Sequence, residues 1–298
     1  MGQPFELGRV GIWTGALDGV ASAQAKTFAG RIEEMGFSTL WVPETVGRDP
    51  FVTAALLLGA TSTLRVATGI ANIYARDAVT MANTQRTLEE AFPGRFLLGL
   101  GVSHHHLVDR VRHHSYDRPY SRMVEYLEAM DQAVFRAVGP ATRPATVLAA
   151  LGPRMLRLAG ERADGAHPYF VPVEHTARAR EILGPGPLLA PEQMVVLDHD
   201  RPRALDVARK GMAPYLRAPN YVNNLRRFGF TDDDVAGGGS ERLVDAIVAI
   251  GSPDDATARV QAHFEAGASH VCVQVLGDDP TAVPVKGWEE LSAALARL

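Results

Sequence analysis

The amino-acid sequence predicts a closed (β/α)₈ barrel, or TIM barrel, in which eight parallel strands are surrounded by helices. Eight strand-like apolar segments alternate with helix-like segments, and this alternation predicts a parallel sheet covered on both faces. The length of 298 residues suits one barrel, so we expect a single domain over residues 1–298. A doubly wound open sheet is the alternative that the pattern leaves open.

The predicted strands are short apolar runs, each followed by a loop and a helix. They are RVGIWT (9–14), TLWVPE (39–44), RVATGIAN (65–72), RFLLGLG (95–101), TVLAAL (146–151), DGAHPYF (164–170), QMVVLD (193–198) and SHVCVQV (269–275). The third run is interrupted by Gly69, and a glycine inside a strand is typical of a bulge or a close backbone approach.

The predicted helices carry their own start and stop signals. Residues 23–36 end in Gly36, and residues 49–62 begin with an Asp cap followed by Pro. Residues 77–94 end in Pro-Gly, and residues 119–138 are amphipathic.

One stretch is too long for a single crossover between strands. Residues 199–268 contain at least three helical pieces and the glycine run AGGGS (236–240), which is typical of a flexible joint. We therefore predict an insertion at about 199–268, between the seventh and eighth strands. Such additions, like the polar loop 102–118, usually lie on the face of a barrel that carries the chemistry.

Composition restricts the possible partners. The formal net charge is −4 and no basic block is present, which argues against a nucleic-acid partner. The single cysteine, Cys272, excludes an internal disulfide and a multi-cysteine metal site. No signal peptide and no membrane-spanning apolar run is evident, so we expect a cytoplasmic protein with no membrane partner.

Active sites of such barrels lie at the carboxyl ends of the strands. There the fifth strand runs through Leu151 and Gly152 into a helix that begins with Pro153. The free N–H groups of the first helical turn could bind an anion, and a plain tight turn is the equal alternative.

Other strand ends deliver polar groups whose roles the sequence leaves open. Glu44 could bind a ligand or transfer a proton, and a structural salt bridge is the alternative. The consecutive histidines 104–106 point in different directions on any regular element, so we predict no metal site. Trp13, Trp41 and Tyr74 could form an aromatic substrate pocket or belong to the core.

Two segments together resemble a known family. They are VATGIANIYARDAVTMANTQRTLEEAFPGRFLLGLGVSH (66–104) and AALGPRMLRLAGERADGAHPYF (149–170). They resemble the bacterial luciferase-like flavin and deazaflavin oxidoreductases, and are most similar to the actinobacterial branch that uses coenzyme F420. The resemblance implies hydride transfer between F420 and a small organic substrate. An FMN-dependent monooxygenase and a non-catalytic flavin-binding barrel are the alternatives.

The resemblance also implies roles for individual residues. It places a cis peptide bond at Gly69-Ile70, in a bulge that supports the ring of the cofactor. It implies that Asn72 and Glu44 contact the polar edge of that ring and that the end of the fourth strand passes beneath it. The other residues implied to bind the cofactor are Gly101, Ser103, Ala150, Leu151, Gly152, Gly165 and Ala166.

The predicted chemistry of the site departs from the best-known sugar-phosphate dehydrogenase of the family. That enzyme has His and Glu where this sequence has Thr45 and His104. His104 and Glu44 are therefore the predicted catalytic residues, with His104 as proton donor, and the predicted substrate pocket contains Trp13, Tyr74 and His104. Family members commonly pair, so we expect a homodimer formed through Leu56–Leu58 and the helix that contains Met81.

Overall fold

The computed structural model describes residues 5–298, and all strand pairings within that range are parallel. The strands are β1 (Val10–Trp13), β2 (Thr39–Val42), β3 (Arg65–Thr68), β4 (Ala71–Asn72), β5 (Phe96–Gly101), β6 (Ala145–Leu148), β7 (Gly165–Ala166), β8 (Leu188–Leu189), β9 (Glu192–Val196), β10 (Val248–Ile250) and β11 (Val271–Val275).

Helices connect the strands and cover the outside of the sheet. They are α1 (Ser22–Glu34), α2 (Pro50–Leu58), α3 (Ala78–Ala91), α4 (Pro119–Asp131), α5 (Pro153–Arg162), α6 (Val173–Leu183), α7 (Arg201–Leu216), α8 (Pro219–Arg227), α9 (Asp232–Val235), α10 (Glu241–Ile247), α11 (Pro253–Glu265) and α12 (Val285–Leu295). The predicted caps form: Asp49 accepts from the N–H groups of Phe51 and Val52. No helix among residues 5–298 has the length and apolarity needed to cross a membrane.

The strands close into a ring through residues 188–196. The sheet runs in the order β9-β11-β1-β2-β3-β5-β6-β7-β8. β8 and β9 are two parts of one strand, and the backbone of this strand bonds to the segments on both sides. The Glu192 N–H donates to Pro168 O, just after β7 (2.9 Å), and the Cys272 N–H of β11 donates to Pro191 O (3.1 Å). The predicted (β/α)₈ barrel is therefore confirmed.

The third barrel strand is broken where the sequence predicts a bulge. β3 ends at Thr68, the Gly69-Ile70 peptide bond is cis, and β4 then pairs with β5. A Cβ atom on Gly99 would lie 2.0 Å from the carbonyl oxygen of Thr68, and one on Gly101 would lie 2.3 Å from Cδ1 of Ile70. The glycines of β5 therefore make room for the bulge, and the passage of this strand end under a flat ligand stays a prediction.

The region after β9 differs from the prediction in one element. The insertion predicted at about 199–268 contains α7 to α11 and also β10, which the sequence did not indicate. β10 follows α10 without a loop and pairs with residues 194–196, the carboxyl-terminal part of β9. The glycine run forms an ordered turn, in which the Ser240 hydroxyl accepts from the N–H of Leu243 and so caps α10.

The predicted sixth strand is much shorter than its apolar pattern indicates. Only Gly165 and Ala166 are in strand conformation, instead of residues 164–170. His167 and Pro168 still make single backbone bonds to the neighbouring strands, but Pro168 lacks a donor and Phe170 has a φ of 58°, so the regular ladder ends here. The side chains of His167 and Tyr169 then lie at the mouth of the barrel.

Candidate functional site

A cavity of about 180 Å³ lies at the carboxyl ends of the barrel strands. Its wall is formed by strand ends, by the loop after β5 and by α8 of the insertion. The lining residues are Ile70, Val102, Ser103, His104, Tyr116, Ala149, Ala150, Leu151, Met155, His167, Tyr169, Asn220 and Tyr221. Five residues predicted to form the site thus share one cavity: Ile70, Ser103, His104, Ala150 and Leu151. Gly152 follows Leu151 in the chain but does not line the cavity.

The backbone bulge that carries Ile70 is held from two sides. The indole Nε1–H of Trp13 donates to the carbonyl oxygen of Gly69 at 3.2 Å. On the other side, the N–H of Asn72 donates to a carboxylate oxygen of Glu44 at 2.7 Å. Because both supports are buried, the bulge is fixed relative to the first and second strands.

Glu44 forms a structural salt bridge, the alternative that the sequence left open. Its carboxylate is 6% exposed and accepts two bonds from the guanidinium of Arg76, at 2.8 and 2.9 Å. Arg112 lies 3.4 Å from the same group. Both carboxylate oxygens have protein partners and Glu44 does not line the cavity, so its geometry argues against the predicted catalytic role.

Asn72 is buried beside Glu44 and also lies outside the cavity lining. Its Oδ1 atom accepts from the N–H of Tyr74 at 2.9 Å. The predicted contact with a ring edge would therefore have to come from its Nδ2–H₂ group.

His104 faces the cavity, as predicted. Its Nδ1 atom lies 3.3 Å from Oδ1 of Asn220, and its ring lies 5.4 Å from that of Tyr221. Burial lowers the pKa of His104, with the Asn220 contact opposing this effect. At neutral pH the imidazole is therefore uncharged, and it is better suited to accept a proton than to donate one.

The aromatic wall of the cavity differs from the predicted one. Trp13 lies beneath the bulge, with its ring centroid 5.0 Å from that of Tyr169. Tyr74 lines a different hollow, of about 540 Å³, between the loop after β4 and α4. Trp13 and Tyr74, which the sequence places in the substrate pocket, do not line this cavity, whereas Tyr116, Tyr169 and Tyr221 do. The larger hollow is outside the ring of strand ends.

The first turn of α5 opens next to the cavity. Gly152 precedes the helix, and no side chain caps its N-terminal N–H groups. A Cβ on Gly152 would lie 3.5 Å from a guanidinium nitrogen of Arg227, which comes from α8. Arg227 has no ion-pair partner within residues 5–298. A helix N-terminus and an unpaired cation therefore converge here, as anion binding requires.

Two small residues predicted to contact the cofactor have a structural explanation. A Cβ on Gly165 would lie 2.0 Å from the carbonyl oxygen of Leu188, and its φ is 151°. Ala166 is fully buried and pairs with both β6 and β8. Both residues therefore serve strand pairing, and their contact with a cofactor stays a prediction.

His167 lines the cavity but was absent from the predicted site. Its imidazole stacks on the indole of Trp41, with ring centroids 4.2 Å apart and planes inclined by 19°. Its Nδ1 atom is 2.7 Å from Ala190 O, whereas its buried Nε2 atom has no hydrogen-bond partner in the described chain. Burial lowers the pKa of His167 to about 4. The sequence places His167 inside the predicted strand 164–170, and only the early end of that strand at Ala166 brings it to the barrel mouth.

The other histidines do not assemble a metal site. Among residues 5–298 no group of three or more His, Cys, Asp or Glu side chains is arranged to bind a metal ion. His105 does not line the cavity, and its Nε2 atom lies 2.8 Å from a carboxylate oxygen of Asp109.

Comparisons with known proteins agree with this geometry. Residues 8–270 match the family model of the luciferase-like monooxygenases. A 5,10-methylenetetrahydromethanopterin reductase from Methanolobus tindarius is 26% identical over 288 residues, covering 82% of this chain and 87% of the relative.

Two solved structures share the fold. The coenzyme F420-dependent tetrahydromethanopterin reductase from Methanopyrus kandleri superposes with a TM-score of 0.78, at 18% identity, covering 97% of this chain and 99% of the other. A type II Baeyer-Villiger monooxygenase from Pseudomonas putida, in complex with FMN, gives a TM-score of 0.69 at 18% identity, covering 97% and 98%. The family match over most of the chain shows that this protein belongs to the luciferase-like monooxygenase family.

Proposed function

We propose that this protein is an F420-dependent oxidoreductase that transfers a hydride between the deazaflavin and a small organic substrate. The observation that carries the proposal is the joining of three features in one cavity: the Ile70 bulge, the uncapped first turn of α5 and a neutral His104. Relatives named as reductases, one of them F420-dependent, support this assignment.

The residues present fit a planar cofactor with a phosphate group. The bulge gives a rigid backbone surface, and the α5 amides together with Arg227 provide a positive pocket for the phosphodiester. The cavity is smaller than the roughly 300–1,000 Å³ typical of sites for drug-sized ligands. Binding of a tricyclic ring therefore requires the wall formed by His104, Asn220 and Tyr221 to move outward.

F420, when bound, would supply the hydride chemistry, and the protein would position the reactants and exclude water. In this arrangement the uncharged imidazole of His104 would accept a proton from a substrate hydroxyl, or return it in the reverse direction. The aromatic rings of Tyr116, Tyr169 and Tyr221 would enclose the substrate, because they form the apolar part of the wall.

An FMN-dependent monooxygenase is the second candidate. FMN also has a tricyclic ring and a phosphate, so the bulge and the α5 amides suit it equally, and one structural neighbour contains FMN. A test of the proposal must therefore compare the binding of F420 with the binding of FMN.

Titration of the purified protein with F420 and with FMN, followed by ring fluorescence, tests the proposal. We expect saturable binding of F420 and its oxidation or reduction in the presence of a member of an alcohol, aldehyde and enone panel. Tight binding of FMN without binding of F420 would replace the proposal with the monooxygenase. Binding without turnover by any member of the panel would indicate a non-catalytic barrel.

We infer that two copies pair through the outer surface of α2 and α3. Leu57, Leu58 and Met81 are fully buried inside the subunit, which corrects their predicted role in pairing. Leu56 is 38% exposed and Val52 is 62% exposed, so these are the apolar side chains of α2 available to a second copy. Sedimentation of the wild-type protein and of Val52→Lys would test the pairing, because a lysine there should produce monomers.

A further inference from the structure

The Nε2 atom of His167 is a buried acceptor next to the bulge that borders the proposed ring site. His167 is 1% exposed, and it lines the same cavity as Ile70. A Cβ placed on Gly69 would lie 3.4 Å from this Nε2 atom, so the atom lies beside the bulge. Buried polar atoms in folded proteins almost always have a partner, so an acceptor left alone in a cavity wall points to a ligand that supplies the donor.

The surroundings of His167 fix which atom is free. Its Nδ1 atom lies 2.7 Å from the carbonyl oxygen of Ala190, and a carbonyl only accepts, so Nδ1 carries the proton. In the uncharged imidazole Nε2 is then an acceptor only. Stacking on the fully buried Trp41 holds the ring in place, so the Nε2 atom stays beside the bulge.

A second buried histidine on the same indole shows the contrast. The Nε2 atom of His270 accepts from Nε1–H of Trp41 at 3.1 Å, and its Nδ1 atom is 3.0 Å from Gly8 O. His270 is fully buried, and both its nitrogens have protein partners. Burial against Trp41 therefore does not by itself leave a nitrogen without a partner.

We propose that Nε2 of His167 accepts a hydrogen bond from an N–H or O–H group on the edge of the planar ring, and so selects and orients that ring. The inference rests on the proposed function, since it requires a ring in the cavity. Two donors have this chemistry: the imide N–H, which F420 and FMN share, and the phenolic O–H, which only F420 has. The imide would fix ring orientation, whereas the phenol would make His167 a determinant of the choice of F420 over FMN.

The test compares ring methylation with removal of the acceptor. Fluorescence titrations use F420, FMN, their imide N-methyl derivatives and the phenol O-methyl ether of F420. Either the imide methylation or the phenol methylation should weaken binding to the wild-type protein about tenfold, because the buried acceptor then loses its donor. In His167→Phe, which keeps a ring on Trp41, the same methylation should change the affinity by no more than about twofold.

His270→Phe is the matched control, because it alters a buried histidine on the same indole that has no free nitrogen. It should retain the tenfold discrimination. If the His167→Phe protein does not fold, ¹⁵N resonances of the wild-type histidines give the answer: the Nε2 signal of His167 should shift on binding of the unmethylated ring and not of the derivative.

The outcomes separate the two proposals. Ring binding that methylation affects equally in the wild-type protein and in His167→Phe, or that leaves the Nε2 resonance unchanged, would overturn the role of His167 and leave the proposed function standing. Failure of the wild-type protein to bind any of the rings would overturn both.

Discussion

Arg76 binds both carboxylate oxygens of Glu44, and the same carboxylate accepts the backbone N–H of Asn72. The Glu44–Arg76 pair therefore connects the end of the second strand to the segment that follows the Gly69-Ile70 bulge. A glutamate at a strand end of a barrel has the position of a catalytic acid, but here its hydrogen-bonding capacity is directed to the backbone that shapes the cavity. Its effect on binding is indirect.

Replacement of Glu44 by Ala tests this structural role. The substitution leaves the guanidinium of Arg76 buried with only Asp49 beside it, and breaking a buried pair in this way costs about 3–5 kcal/mol. We expect the free energy of unfolding in urea to fall by that amount, together with the affinity for the ring.

The matched control for Glu44→Ala is Glu181→Ala, which removes an exposed pair with Arg178 and should cost less than about 1 kcal/mol. A Glu44→Ala protein of unchanged stability that had lost only turnover would restore the catalytic interpretation.

Arg227 should contribute to phosphate binding only. In Arg227→Gln we expect the affinity for F420 or FMN to fall about tenfold, because a charge-assisted contact at the first turn of α5 is lost. The affinity for the same rings without their phosphate should not change. Calorimetric titration with both forms of each ring measures the difference.

Arg226→Gln is the control for Arg227→Gln, since Arg226 is adjacent on α8 and is already paired with Asp232. Equal losses in the two variants would indicate a general effect of charge, and would contradict a phosphate site at Gly152.

The contact between His104 and Asn220 should limit how fast ligands leave. Asn220→Ala removes the 3.3 Å contact across the wall of the cavity, so we expect the dissociation rate of the ring to rise about threefold to tenfold. Stopped-flow displacement of the bound ring measures this rate.

Asn223 lies on the same helix, contacts Arg226 and is exposed, so Asn223→Ala should leave the dissociation rate unchanged. Identical rates for the wild-type protein and Asn220→Ala would mean that this contact does not close the cavity.

Gly99 should tolerate no side chain. The Cβ of Gly99→Ala would lie 2.0 Å from the carbonyl oxygen of Thr68, a backbone atom fixed by two strands. We expect a loss of at least about 3 kcal/mol in the free energy of unfolding, or failure to fold. Thermal unfolding of the purified variant measures this.

Gly30→Ala gives the opposite expectation, because no atom lies within 4 Å of the new Cβ in the middle of α1. It should stabilise the protein by about 0.5–1 kcal/mol. A stable Gly99→Ala protein would show that β3 and β5 can separate, and that the bulge is not fixed by their contact.

The stability of the protein should fall between pH 4.5 and pH 8 because of Glu192. This carboxyl is buried in the barrel, and burial raises its pKa from 4.5 to about 8, against an opposing bond from the Phe170 N–H. The unfolded chain releases the proton near pH 4.5 whereas the folded protein retains it, so folding becomes less favourable as the pH rises through this window.

Glu192→Gln removes the proton exchange while keeping the shape of the side chain. Urea unfolding should be measured at pH 5 and at pH 8.5. Relative to the wild-type protein, the free energy of unfolding of the variant should rise by a few kcal/mol between pH 5 and pH 8.5, with little difference between the two proteins at pH 5. Parallel pH profiles for the two proteins would exclude a protonated Glu192.

The sequence by itself determined the barrel and most of its strand order. Alternation of apolar strands and helices is a local pattern, and each cap lies within a few residues of the helix it starts, as Asp49 does for α2. The break at Gly69-Ile70 and the cavity position of His104 were also accessible, because both follow directly from strand ends.

Only the tertiary structure decided what each strand-end residue touches. Asn220 and Tyr221 reach the cavity from an insertion, and Asn220 lies 116 positions of sequence away from its partner His104. Glu44 was predicted to contact a ligand from its strand-end position and the resemblance, whereas its partner Arg76 lies 32 positions away, in the loop after β4. The periodicity of apolar residues indicates which face of a helix or strand is buried. A hydrogen bond between distant side chains forms only when the closed barrel brings the two within about 3 Å of each other, and periodicity does not indicate that.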